Sequence, residues 1–406
     1  MLKILVVGAG PVGLWTAIQT KLMSPKAEIV INEKYEEYKR SHPLRLELSA
    51  LKSLQIPNNS EYKAQIESMQ NAILALGSPH WDAFSGKYIN IRTNDLEANL
   101  KSVAQNIGIR IEKKEFEGIE DIPAEIQYVI GADGARSKVR KIVCNDEEDN
   151  TERKTMKYVV EMKYESYGVN VNHSVIQKYP TQKLLNFFTD DYVGKWNNDT
   201  GRYPVSIRFF VDKDTYDALG DANFKNSKRA IDICKEQFPE KLKQDIRVWL
   251  NARKDSGASI TDVQSIKITK LPLEAYCSKS FAKIQDNKFI CIAGDAAGAV
   301  PYFRALNGGL ERGAKLGQMI AQGQSMEQLE SNYNSKMSYW LKIEIIKAIL
   351  KDLLINIWTF FISISSYVPW QVNKWSQKDK ERLKNEDPFQ AYVLNANNHS
   401  HPLLSV

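Results

Sequence analysis

Gly8, Gly10 and Gly13 stand in GxGxxG spacing within "KILVVGAGPVGLWTAIQTKL". That spacing serves phosphate chemistry. One glycine makes a tight turn, one lets a pyrophosphate approach the backbone, and one lets a helix pack closely on a strand. The helix that follows offers unpaired N–H groups and a partial positive charge to an anion. Glu33 ends the next apolar run, twenty residues after Gly13. A carboxylate there can accept both hydroxyls of an adenosine ribose. With Pro11 and Val12 inside the turn and Lys34 beside Glu33, these residues form a candidate dinucleotide site.

Two further glycine-aspartate turns follow apolar runs. "YVIGADGARSKVR" carries Asp133 and Gly134, and "KFICIAGDAAGAVPYFRALNGG" carries Gly294 and Asp295. A nicotinamide domain needs neither. An extended FAD, whose pyrophosphate and ribityl chain must be held along their length, gives both a use.

The elements that must position these turns are legible from periodicity. Strand, glycine turn, helix and the strand "AEIVINEK" make a βαβ unit, so a parallel sheet is expected. Helical periodicity is read in "LRLELSALKSLQI" and "TNDLEANLKSVAQNIGI", a strand pair in "IRIEKKEFEGIED", and a helix in "GGLERGAKLGQMIAQG". After the charged stretch 144–154 the texture changes. "MKYVVEMKYESYG", "YPVSIRFFVDKD" and "SIKITKLPLEAY" alternate like antiparallel strands. The expected fold is α/β: a Rossmann-like FAD-binding domain (1–150 with 285–325), an inserted, mainly antiparallel β-sheet substrate domain (151–284), and a C-terminal helical region and tail (326–406).

Composition bounds the function. The 406 residues carry 43% apolar side chains and a net charge of +6, too mild for a nucleic-acid binder. Four scattered cysteines form no CxxC, and five histidines form no HxxxH, so neither a disulfide framework nor a metal site is expected. "MLKILVVGAG" opens straight into glycines without a cleavage site, so no signal peptide is expected and the protein is placed in the cytoplasm. Residues 353–373, "LLINIWTFFISISSYVPWQVN", hold no charge. Polar residues and Pro369 dilute the run, which favours a helix buried against the domain or a dimer face. An interfacial membrane helix or partner contact through 346–372 is the alternative, and a true span the least favoured reading.

"GAGPVG", "IGADGARS" and "GDAAGAVP", in that order and spacing, resemble the FAD-dependent aromatic-hydroxylase type of monooxygenase, which includes para-hydroxybenzoate hydroxylase. The likeness covers about residues 1–325. Further details, "VVGAGPVGLWTAI", "NIRTNDLEANL", "FEGIED" and "LERG", are similar to the MICAL branch, whose enzymes oxidise protein methionines on actin. "NIRTNDLE" is one residue longer than that branch's usual Ile-Arg-x-Leu.

The resemblance implies roles. Asp133 and Gly134 would lie near the FAD pyrophosphate, and Asp295 would accept a hydrogen bond from a ribityl hydroxyl. Pro301, Asn307 and Gly308 would line the isoalloxazine, while Arg40 and Arg92 match basic positions that meet the cofactor. Two departures stand out. Gly298 replaces the usual histidine after Gly-Asp-Ala-Ala, and Arg304 enters a shortened turn before Leu-Asn. The implied activity is an NAD(P)H- and O2-dependent FAD monooxygenase acting through a flavin hydroperoxide on a small aromatic molecule or a protein side chain such as methionine. No catalytic residue is assigned, because the cofactor carries the chemistry. The alternatives are a flavin dehydrogenase or reductase without oxygen transfer, and a GDP-dissociation-inhibitor-like binding protein on the same fold.

Overall fold

The computed structural model describes residues 1–36, 43–52, 62–77, 79–82, 86–145, 150–168, 188–194, 196–223, 225–257, 259–301, 304–364 and 385–389. From the start run β1 (Lys3–Val7), α1 (Pro11–Met23), β2 (Glu28–Glu33), β3 (Pro43–Glu47), α2 (Leu48–Lys52), α3 (Lys63–Ala75) and β4 (Pro79–Asp82). Then come β5 (Gly86–Arg92), α4 (Thr93–Asn106), β6 (Arg110–Lys113), β7 (Tyr128–Gly131) and α5 (Lys138–Val143). The middle holds β8 (Thr151–Gly168), β9 (Phe188–Val193), β10 (Tyr203–Val211), α6 (Lys213–Ala218), β11 (Lys228–Arg229), α7 (Ala230–Ile233), α8 (Glu240–Gly257) and β12 (Ser259–Ser278). Last come β13 (Ala282–Gln285), β14 (Lys288–Ile292), β15 (Gly298–Ala299), α9 (Arg304–Ala321) and α10 (Met326–Ile364). Two compact units result: Met1–Lys154 with Glu274–Lys351, and Thr155–Leu273 with the described residues from Asp352 on.

The first unit is built on a six-stranded sheet of order β13-β14-β7-β1-β2-β6. Its five strands from β14 to β6 are parallel, and β13 closes one edge antiparallel. Parallel strands are covered on both faces, which is why β1 reads as an unbroken apolar run rather than an alternating one. Ile4, Leu5, Val6 and Val7 are buried, as are Val129 and Ile130 of β7 and Phe289 to Ile292 of β14. A smaller antiparallel sheet, β3-β5-β4, belongs to the same unit.

In the second unit β10 pairs antiparallel with both β8 and β9. Tyr203, Val205, Ile207 and Phe209 alternate inward along β10 and meet Met162, Tyr164 and Trp249 in one core. Each such side chain contributes roughly 1.5–3 kcal/mol by leaving water. Trp249 Nε1 satisfies its buried N–H by donating to the Tyr164 hydroxyl at 3.1 Å.

Fold class follows the expectation, but two local readings need correction. "LRLELSALKSLQI" does not begin as a helix, because Pro43–Glu47 is a strand paired with β5. Leu44 and Leu46 fit a period of two as well as a helical one, and the cross-strand partner decides. "IRIEKKEFEGIED" yields one strand, not a pair. Beyond β6 the chain turns through a short 3-10 helix, Ile119–Asp121, and the Asp121 carboxylate accepts the Glu117 N–H at 2.6 Å that a strand partner would have taken.

Candidate cofactor-binding site

Register brings the scattered motifs of the first unit to one sheet edge. Val7 of β1 lies opposite Asn32 of β2 and Gly131 of β7, and Gly131 lies opposite Ile292 of β14. Each strand ends level with its neighbours. The backbone continues the pairing one residue further: Gly8 N–H donates to Asn32 O at 2.8 Å, Ala132 N–H to Val7 O at 2.7 Å and Ala293 N–H to Gly131 O at 2.8 Å. The loops beginning at Gly8, Glu33, Ala132 and Ala293 therefore share the carboxyl edge of a parallel sheet, where such folds bind ligands.

Close approach explains the glycines that pack these loops. Gly8 has φ +102°, and a Cβ there would stand 2.6 Å from Ala132 O. Gly294 has φ +61°, and its Cβ would meet Val12 at 3.0 Å. A Cβ on Gly13 would overlap Gly8 O. Gly10 differs: no atom lies within 4 Å of where its Cβ would be. Gly10 also caps α1, whose first turn has Pro11, no acidic residue and no side-chain cap. An open approach thus leads to N–H groups without intrahelical partners, the arrangement that suits a phosphate.

Glu33 is held rather than loose. Its Oε2 accepts the Ala9 N–H at 2.8 Å and its Oε1 the Tyr35 N–H at 2.9 Å. These bonds fix the carboxylate beside the glycine turn while leaving lone pairs for hydroxyl donors. Lys34 is exposed, with its ammonium 4.9 Å from the centroid of the Tyr35 ring.

The Asp133 carboxylate caps α5. Oδ1 accepts from Ser137 Oγ at 2.6 Å, and Oδ2 accepts from the backbone N–H of Lys138 at 2.6 Å and of Val139 at 3.3 Å. Gly134 beside it faces open space. Asp295, half-buried, lies in a 3-10 turn, and its carbonyl accepts the Tyr276 hydroxyl at 2.7 Å. Burial, reinforced by the Asp295 charge, holds that phenol far above the usual tyrosine range.

Pro301 is buried just before α9 begins at Arg304. Asn307 therefore lies in the first turn of a helix. Its amide joins α9 to β3: Nδ2 donates to Arg45 O at 3.0 Å, and Oδ1 accepts the Glu47 N–H at 2.9 Å. Gly308 is buried, and a Cβ there would press on the Arg312 guanidinium. Arg92 precedes α4, half-buried, and among the described residues its guanidinium has no hydrogen-bond partner. Arg40 lies outside the described residues.

Nothing in the sequence singles out Arg140. Only 4% exposed, it donates from Nη1 to Ala296 O at 2.9 Å, from Nη2 to Ala135 O at 2.6 Å and from Nε to Asn150 Oδ1 at 3.2 Å. It fastens the turn after β7 to the turn after β14. The only sequence signal was a basic residue seven positions after Asp133, indistinguishable from a surface charge. Glu97 on α4 is equally silent in the sequence. It is buried near Glu33, and burial first, then the Glu33 charge, raises its carboxyl above the usual range against the pull of Lys101.

Comparison with known proteins agrees with this architecture. A family model described as FAD binding domain matches residues 92–338. Among solved structures, CtdE in complex with FAD and substrate 4 is 12% identical, with 98% of each chain covered and a TM-score of 0.56. Tetracycline destructase Tet(51) is 14% identical, with 100% of each chain covered and a TM-score of 0.51. OxyS anhydrotetracycline hydroxylase from Streptomyces rimosus is 13% identical, covering 100% of this chain and 78% of that one, with a TM-score of 0.51. At such identities the likeness is one of fold. No curated protein matches the chain in sequence. Because the family match takes in β7, β14 and α9, more than half of the chain, the protein belongs to the FAD-binding domain family, that of the aromatic-hydroxylase-type flavoprotein monooxygenases.

Proposed function

We propose that this protein is an FAD-dependent monooxygenase that draws electrons from NAD(P)H and oxidises a small aromatic molecule. The observation that carries the reading is the open position at Gly10, set before an uncapped helix N-terminus and level with Glu33, Asp133 and Gly294. Bound FAD would supply the electron transfer and the activation of O2.

The chain's own residues would bind and orient. The first N–H groups of α1 would take the pyrophosphate and Glu33 the adenosine ribose. Asp295 would meet the ribityl chain, and Arg92 would offer two parallel donors to a phosphate. Pro301, Gly308 and the first N–H groups of α9 would flank the ring, where a helix N-terminus favours negative charge. Asn307 would act by holding α9 on β3, and Asp133 by holding α5.

The small-aromatic reading is supported by two neighbours named for tetracycline chemistry. The motifs shared with the MICAL branch favour a second reading, oxidation of a protein methionine. The test begins with colour. The purified protein is expected to be yellow, to oxidise NADPH with O2 uptake, and to accelerate with an aromatic substrate or to form methionine sulfoxide on actin. A colourless protein that takes up no added FAD would overturn the proposal. NADPH oxidation with an artificial acceptor but without O2 uptake would assign it as a reductase.

A further inference from the structure

We propose that one face of α10 docks on an anionic phospholipid surface. On this helix Tyr339 is 63% exposed, Ile346 56% and Leu350 53%, and Leu353, Leu354 and Ile357 of the following turns are exposed too. At 3.6 residues per turn, Tyr339, Ile346, Leu350, Leu353 and Ile357 fall within an arc of about 60° and cover roughly 27 Å of helix. Ordinary monomers scatter exposed apolar residues singly, so an aligned stripe of them marks a docking face.

Charge selects the occupant. By the same spacing Lys342 borders one edge of the stripe, and Lys336 and Lys347 border the other; all three are exposed. Between Tyr339 and Ile357 the acids are Glu344 and Asp352. Glu344 is buried and accepts from Lys347 Nζ at 3.0 Å, and Asp352 lies 3.5 Å from Lys157 Nζ on another part of the circumference. The exposed face is thus apolar with basic margins, the pattern that lies in the headgroup region of a negatively charged leaflet. A second copy of the same face would set lysine against lysine, which disfavours self-association. No described helix is long and apolar enough to cross a membrane, so the docking is in the plane of the surface. This inference does not depend on the proposed oxygenase activity.

Sedimentation of the full chain with phosphatidylcholine vesicles, with and without phosphatidylserine, tests it. Pelleting is expected with phosphatidylserine and not without it, and is expected to weaken as salt rises. Lys336→Glu with Lys342→Glu should weaken it by about tenfold or more, since each basic residue near such a surface counts for about fivefold. These lysines are exposed, so the melting temperature should not move. Ile346→Asp with Leu350→Asp should abolish pelleting. Wild-type protein left in the supernatant at low salt would overturn the proposal. So would a concentration-dependent dimer in light scattering that Ile346→Asp dissolves and vesicles do not compete with, which would assign the face to a second copy.

Discussion

Gly313 of α9 lies so close to α1 that a Cβ on it would overlap Oγ1 of Thr16. The same contact repeats a turn either way. A Cβ on Gly309 would stand 2.8 Å from Val12 Cγ2, and one on Gly317 would stand 2.8 Å from Thr20 Oγ1. Thr16 and Thr20 cannot swing aside freely, since their hydroxyls donate to Val12 O at 2.8 Å and Thr16 O at 2.7 Å. Gly313→Ala is therefore expected to lower stability by about 1–3 kcal/mol, as overpacking does. Adding Thr16→Ala should recover part of the loss. Thermal unfolding of both single variants and the double variant measures the coupling.

The glycines of the first turn should separate binding from folding. Gly10 has φ −68° and open space around it, so alanine fits its backbone. Gly10→Ala should leave the melting temperature of the FAD-free protein unchanged while weakening FAD binding by about tenfold or more, because the new methyl occupies the approach to the helix N-terminus. Gly8→Ala meets both a positive φ and the Ala132 carbonyl, and should cost about 1–3 kcal/mol of stability even without FAD. Flavin fluorescence titration beside thermal melts distinguishes the two.

Arg140→Ala should damage both turns at once. It leaves the buried carbonyl of Ala296 without its donor, at about 1–3 kcal/mol for the orphaned group, and frees the solvent-exposed Ala135 carbonyl to bond water instead. Arg140→Lys should be intermediate, because an ammonium cannot reproduce the fork that reaches two carbonyls and Asn150 together. Both variants should lose flavin more readily on gel filtration, read as the ratio of flavin to protein absorbance.

Glu97 should make stability fall as pH rises. Its carboxyl is raised in the folded protein, so the folded state binds its proton more tightly than the unfolded chain. The stabilisation is complete below the ordinary glutamate pKa of about 4.3 and is lost as pH climbs through the raised folded value. Glu97→Gln removes that dependence. Melting temperatures should favour the variant at about pH 8 and converge with the wild type below about pH 4. A wild type more stable than the variant at high pH would assign Glu97 a favourable charged contact instead.

What is legible in the sequence alone is whatever a short stretch determines by itself. β1, the glycine turn, α1 and Glu33 are contiguous, and their spacing encodes one geometry. Asp133 and Asp295 follow strand ends because the apolar runs before them must stop. Other features depend on distant partners. Arg140 gains meaning only from Ala296, and Asn307 from Arg45 and Glu47, more than 250 positions away. β3 was hidden because five residues alternate too briefly to exclude a helix, and only β5 resolves the ambiguity. Glu97 looked like one more acid on an amphipathic helix until its burial was known.

The glycine ladder between α1 and α9 also sets a schedule for synthesis. Val12, in the turn that Gly10 opens, is backed by Gly294 and Gly309, which leave the ribosome almost three hundred residues later. Until then α1 lacks the surface against which it packs, and β1 lacks β14 beyond β7. The face of α1 that α9 covers must wait, exposed, through the translation of residues 155–273. Such long-range closure is slow and prone to aggregation. Chains halted before α9 should accordingly be held by chaperones or degraded, and FAD should be captured only once α9 has emerged.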